Sequence, residues 1–168
     1  MSVNIVLTGM MGCGKTTVGK ALVKSLKDYI FVDLDEVIVD LEGISIPDIF
    51  DKKGEDYFRT LEEQLVEEFC EEENLILSLG GGAFESKKNR EKLLNTGKVI
   101  YLKSSVDRLF ERVKNDTNRP LLKCENPKGK LEKLLALREP NYLKSHYIVE
   151  TDNKTIDEIA NEILDLFK

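Results

Sequence analysis

The stretch LTGMMGCGKTTVGK, residues 7–20, places Gly9, Gly12 and Gly14 directly before a lysine, Lys15, followed by Thr16 and Thr17. Glycine leaves backbone N–H groups bare, so the oxygens of a phosphate chain can approach them. The spacing Gly9, four residues, Gly14, Lys15, Thr16 fits the P-loop pattern. In that pattern backbone amides cradle the phosphates, the lysine reaches the terminal ones and the hydroxyl binds magnesium. Gly12, Cys13, Gly14, Lys15, Thr16 and Thr17 are therefore the expected nucleotide contacts, with Lys15 the expected catalytic cation.

Such a loop works only between a strand and a helix. Val3, Ile5, Val6 and Leu7 form a β-branched apolar run before it, and residues 16–27 read as a helix with Val18, Leu22 and Leu26 on one face. Further apolar runs at 30–33, 75–79, 98–102 and 147–149 alternate with helical patterns, which predicts an α/β fold with a mainly parallel sheet. Phe58, Leu61, Leu65, Val66 and Phe69 share one helical face, as do Ile156, Ile159, Ala160, Ile163, Leu164 and Phe167. Both faces are expected to pack on the sheet. Residues 114–129 are polar, hold Pro120 and Pro127, and read as a mobile loop.

Ligands of open α/β sheets gather at the carboxyl ends of the strands, which directs attention to the residues just after each apolar run. After the second stands FVDLDEVI, with Asp33 and Asp35 two apart and on one side of the chain if the extended conformation continues. Two carboxylates opposite a phosphate loop suit two tasks, holding magnesium and accepting a proton from an attacking hydroxyl; either could equally cap the next helix. After the third come Gly80, Gly81 and Gly82, a place for close ligand approach or a tight turn. By pattern alone Arg59 and Arg138 are solvated arginines, and His146, the one histidine, has no catalytic partner in view.

Lys and Arg number 25 against 31 Asp and Glu, a formal charge of −6 that repels a nucleic-acid backbone, and the one dense charge run, 67–73, is acidic. Cations that bind phosphate must then be placed one at a time. No basic segment followed by an apolar run opens the sequence and no apolar run nears membrane-spanning length, so a soluble chain without membrane or nucleic-acid partners is expected. Cys13, Cys70 and Cys124 show no CxxC spacing, which predicts neither a disulfide framework nor a zinc site and points to reducing cytoplasm. Cys13 reads as a small residue that fits its loop.

Taken together, GMMGCGKTT, FVDLDEVI, SIPDIFDKKGEDYFRTLE, LGGGAF, NRPLL and LREPNYL resemble the shikimate kinases in order and spacing, from the first strand to about Tyr147. The resemblance implies a P-loop NTPase fold, a three-layer α/β sandwich around a five-stranded parallel sheet of order 2-3-1-4-5, as in nucleoside monophosphate kinases. It implies one domain over residues 1–168, with a substrate-binding helical segment at about 34–60 and a mobile lid at about 114–127. The activity implied is transfer of the γ-phosphate of MgATP to the 3-hydroxyl of shikimate, towards chorismate and the aromatic amino acids, by a cytoplasmic monomer. On the same basis Thr16 and Asp33 become the magnesium-side residues, and Asp35 holds shikimate hydroxyls and acts as base. Arg59 and Arg138 grip the substrate carboxylate, which suits the guanidinium fork. Gly80, Gly81 and Gly82 bring backbone amides to the ring. Arg119 closes over the phosphates as a catalytic lid arginine and Arg112 lies against the adenine. Ile46, Phe50 and Phe58 wall the pocket or belong to the core.

Leu79 departs from the pattern, standing where many relatives carry a threonine, and the segment VETDNKT places the adenine without naming a contact. Two other readings compete. A P-loop kinase for gluconate or a nucleoside monophosphate would share the loop and the lid but lack Arg59 and Arg138. A GTP switch would need NKxD, and NKTID puts its acid one residue too late.

Overall fold

The structure, a computed structural model, describes residues 3–116 and 122–168. Its chain order is β1 (Asn4–Thr8), α1 (Lys15–Ser25), β2 (Ile30–Asp33), α2 (Leu34–Glu42), α3 (Ile46–Lys53), α4 (Glu55–Cys70) and β3 (Leu75–Ser78). A 3₁₀ turn at Ala83–Glu85 leads to α5 (Lys87–Thr96), β4 (Gly97–Lys103), α6 (Val106–Val113), α7 (Pro127–Tyr142), β5 (Tyr147–Glu150) and α8 (Ile156–Asp165). The strands form one parallel sheet in the order β2-β3-β1-β4-β5, with Ile5 beside Ile76 on one side and Lys98 on the other. This is the three-layer arrangement expected of the sequence.

Central strands buried on both faces need continuous apolar runs, and β1 is buried along its whole length. Helix α1 approaches the sheet closely because Gly19 carries no side chain: a Cβ there would run into the Phe31 ring. Helix α8 runs beside α1 and β5, and α4 beside α5 and α3, and the apolar faces of both join the core formed with the strands. The acidic end of α4 is tied to α5 through Glu67–Lys88 and Glu71–Lys92 ion pairs. His146 accepts a hydrogen bond from the Val99 N–H at 3.0 Å, a structural task.

One boundary departs from the sequence reading. Helix α7 begins at Pro127, whose missing N–H suits a first turn, and Asn126 caps it by accepting from Gly129 N–H. The irregular segment therefore ends before 127, and Lys114 and the residues up to 116 lead out of α6. Pro140 lies inside α7, which continues to Tyr142 and carries Arg138 near its C-terminal end. No helix among the described residues is long and apolar enough to cross a membrane.

Candidate active site

The glycine-rich loop joins β1 to α1 as the pattern requires. Gly9, Gly12 and Gly14 have φ of 146°, 81° and 97°, conformations that side chains disfavour. At Gly9 and Gly12 space is short as well: a Cβ on Gly9 would meet Cys13 Sγ and Leu102 O at 2.8 Å, and one on Gly12 the Val113 side chain at 2.7 Å. Cys13 is buried in packing, as expected of a small filler. Lys15 is buried and donates from Nζ to the carbonyls of Gly9 (2.8 Å) and Met10 (3.0 Å), which fixes the ammonium inside the loop. Arg112, in the last turn of α6, donates to the Gly12 carbonyl at 2.9 Å. Gly12, Gly14, Lys15, Thr16, Thr17 and Arg112 all line one cleft of about 270 Å³, together with Asp33 and Asp35.

The aspartate pair combines the two uses left open by the sequence. Asp33 Oδ2 accepts from the Thr16 hydroxyl at 2.5 Å, while Oδ1 accepts from the N–H groups of Asp35 and Glu36 and caps α2. The cap orients the carboxylate that meets Thr16, so one interaction serves the other. The extended conformation does not continue past Asp33: Asp35 stands in the first turn of α2, yet both carboxylates face the cleft. A hydroxyl beside a carboxylate offers the hard oxygen donors that magnesium takes, with phosphate and water completing its shell. Among the described residues no group of three or more His, Cys, Asp or Glu side chains is arranged to hold a metal.

Next to this cleft the triple glycine faces a charged group at each position. A Cβ on Gly80 would lie 2.8 Å from Asp35 Oδ1 and 3.1 Å from Glu62 Oε2; on Gly81, 3.2 Å from Arg138 Nη1; on Gly82, 2.5 Å from Arg59 Nη2. The missing side chains are therefore the space in which two carboxylates and two guanidinium groups converge. The sequence offered close ligand approach or a tight turn as the purpose of these glycines, and the resemblance backbone amides; the structure adds room for side chains from α2, α4 and α7. Arg138 is buried, with 6% of its surface exposed. Arg59 pairs with Glu62 at 2.9 Å and with Glu55 at 3.4 Å. Burial works against the Arg59 charge, but both glutamates override it and hold its pKa above the ordinary value.

Glu62 was not singled out by the sequence reading. It is 1% exposed, and burial pushes its carboxyl up to about 7 despite Arg59. Its Oε1 accepts from Arg59, and Oε2, beside Gly80, has no hydrogen-bond partner among the described residues. A signal existed: Glu62 falls between Phe58 and Leu65 at helical spacing, a charge on an apolar face. Phe58 is buried and packs with Phe50 at 5.0 Å between ring centres, while Ile46 lines a second basin with Thr16, Asp33 and Asp35. Leu79 is buried in the core, and the hydroxyl-bearing Ser78 beside it lines the cleft. The VETDNKT segment is tied to α6 through Arg108 on Asn153 at 3.0 Å and Ser105 N–H on Asp152. Arg119 lies outside the described residues.

A parallel 2-3-1-4-5 sheet, a phosphate loop after its central strand and a carboxylate facing that loop define a P-loop kinase for a small molecule. The shikimate kinase family model matches residues 11–168. A shikimate kinase of Legionella pneumophila is 45% identical over 162 residues, which cover 96% of this chain and 92% of the relative. The solved shikimate kinase of Acinetobacter baumannii in complex with shikimate superposes with a TM-score of 0.96 at 42% identity, covering 99% of this chain and 93% of that one. The shikimate kinase of Bacteroides thetaiotaomicron gives 0.90 at 33% identity, covering 99% of both chains. The chain belongs to the shikimate kinase family and is an ATP-dependent phosphotransferase.

Proposed function

We propose that this chain transfers the γ-phosphate of MgATP to the 3-hydroxyl of shikimate, on the observation that Asp35, Arg138 and Arg59 converge on three successive glycines beside the phosphate loop. Two guanidinium groups on one wall suit a carboxylate, which they bind in a planar, bidentate manner. Held there, the acid presents a ring hydroxyl to Asp35. The Asp35 carboxylate takes the hydroxyl proton as the oxygen bonds to the γ-phosphorus; the bond from phosphorus to the bridging oxygen breaks, and ADP leaves with that electron pair.

Thr16 and Asp33 would hold magnesium, which neutralises phosphate charge when bound. Lys15 and the backbone N–H groups of residues 12–17 stabilise charge that develops on the transferring phosphate, and Arg112 sits on the nucleotide side. Arg119, in a lid at about 114–126, adds a cation and excludes water that would hydrolyse ATP. Glu62 joins the acceptor side by fixing Arg59. The enzyme acts as a cytoplasmic monomer, an expectation that sedimentation checks.

The test is ADP release from MgATP with shikimate, with gluconate, with AMP and with no acceptor. Release that depends on shikimate alone is expected. Release that depends on another acceptor would remove the substrate assignment and keep the kinase, and the Arg59 and Arg138 readings would fall with it.

A further inference from the structure

Two tyrosines lie beneath the charged groups and take no part in the chemistry above. Tyr101 of β4 and Tyr142 of α7 are buried and stacked, with ring centres 5.0 Å apart and planes 29° apart. The Tyr101 ring underlies the phosphate loop, where a Cβ on Gly9 would stand 3.5 Å from it. Its hydroxyl donates to Glu139 at 3.0 Å, the residue after Arg138. The Tyr142 hydroxyl donates to the Gly81 carbonyl and stands 3.6 Å from Met10 Sδ in the phosphate loop.

That contact sets Gly81 apart. The carbonyls of Gly80 and Gly82 accept from the backbone N–H groups of Ala83 and Glu85, a local turn that holds itself together. The Gly81 carbonyl instead accepts from a side chain of α7, one helical turn beyond Arg138, which faces Gly81. Burial raises the Tyr142 pKa, with Arg138 opposing, so the hydroxyl stays a neutral donor at every working pH.

We propose that Tyr142 is a positioning residue that sets the separation between the acceptor clamp and the phosphate loop, holding Gly81 and Arg138 on one side and Gly9 through Tyr101 on the other. In-line transfer depends on that separation, because an acceptor oxygen displaced by about 1 Å from the γ-phosphorus loses about a hundredfold in rate. The inference rests on shikimate being the acceptor.

The experiment compares Tyr142→Phe, which keeps the ring and its stacking, with Tyr101→Phe, which removes a hydroxyl from the same stack but not from Gly81. Steady-state kinetics are measured against each substrate, with Tm alongside. Tyr142→Phe is expected to lower kcat about tenfold and raise the KM for shikimate roughly fivefold, the scale of one buried hydrogen bond, with the KM for ATP within about twofold. Tyr101→Phe is expected to lower Tm comparably while leaving the shikimate KM within about twofold. 4-Aminophenylalanine at position 142 restores a donor and is expected to restore the shikimate KM.

Equal kinetic effects of the two phenylalanine variants, or none, would make the pair structural only and overturn the proposal. A folded aminophenylalanine enzyme with an unrestored KM overturns it even if Tyr142→Phe does not fold. A wild-type chain inactive with shikimate removes the acceptor reading itself, a result seen before any variant is made.

Discussion

The phosphate side of the cleft is one uninterrupted run, residues 9–17, whose shape comes from backbone: three glycines at positive φ and a lysine held by the carbonyls of its own loop. The acceptor side is assembled from α2, α4, the Gly80–Gly82 turn and α7, and its shape comes from side chains that fill the spaces glycines leave. Backbone preset by local sequence recognises what every nucleotide shares, a chain of phosphates. Side chains gathered from distant segments recognise what distinguishes one acceptor from another. On the proposed reading, general and specific recognition fall on different residues, the phosphate cleft on one side of the triple glycine and the cavity lined by Arg59, Glu62 and Arg138 on the other, and each can be damaged separately.

Asp35→Asn is the largest expected break. The amide keeps the size of the side chain but cannot take the hydroxyl proton, so kcat should fall by roughly a thousandfold, within the usual contribution of a general base. Because Asp35 stands on the acceptor side, the affinity for ATP, measured by calorimetry, should stay within about twofold. A variant that turned over normally would remove the base from this wall.

A matched pair of glycine substitutions comes next. In Gly82→Ala the new Cβ would fall 2.5 Å from Arg59 Nη2, the far end of a flexible side chain, so the guanidinium moves and the fold survives. The KM for shikimate should rise about tenfold to a hundredfold, the worth of a charged hydrogen bond, with little change for ATP. Gly14→Ala meets no neighbour within 4 Å, but its φ of 97° strains any side chain by about 1–3 kcal/mol. There the KM for ATP should rise and that for shikimate hold. If either substitution raised both KM values alike, the two walls would not be separable.

The same contrast explains what could be read from the sequence. Strands and phosphate loop were legible because local periodicity and one compact motif carry them, whereas the sheet order came only with the family resemblance. Asp33 was legible as a site residue but not in its double use, which depends on β2 ending where α2 begins. Arg59 and Arg138 looked like surface arginines by pattern, and only the family resemblance singled them out. The burial of Arg138 and the partial burial of Arg59 follow from the packing of α7 and α4 against the triple glycine, which no local window contains. Helix α7 continues through Pro140 for a related reason, under tertiary contacts that include the Tyr142 hydroxyl on Gly81. Glu62 was visible as a charge on an apolar face, and Arg59 three residues earlier on the same helix was a local partner for it, but no local window showed how deeply the pair is buried.

Glu62 also yields the smallest and most direct probe of the acceptor wall. Its folded pKa of about 7 lies above the ordinary value of 4.5, chiefly through burial, with Asp35 adding to the rise and Arg59 and Arg138 opposing it. A carboxyl that binds its proton more tightly when folded contributes stability that is fully present below pH 4.5 and is lost as pH rises to about 7. Glu62→Gln keeps an oxygen for the Arg59 contact and cannot ionise, so this loss should vanish. The variant also forgoes the ion pair with Arg59, which leaves a net gain on the order of 1 kcal/mol, or about 2–4 °C in Tm for a chain of this size. Melting curves across the range should therefore show the variant gaining on the wild type between pH 4.5 and about 7 and holding that gain above it. Curves that run parallel throughout would mean that Glu62 ionises normally and that Arg59, not burial, governs this wall.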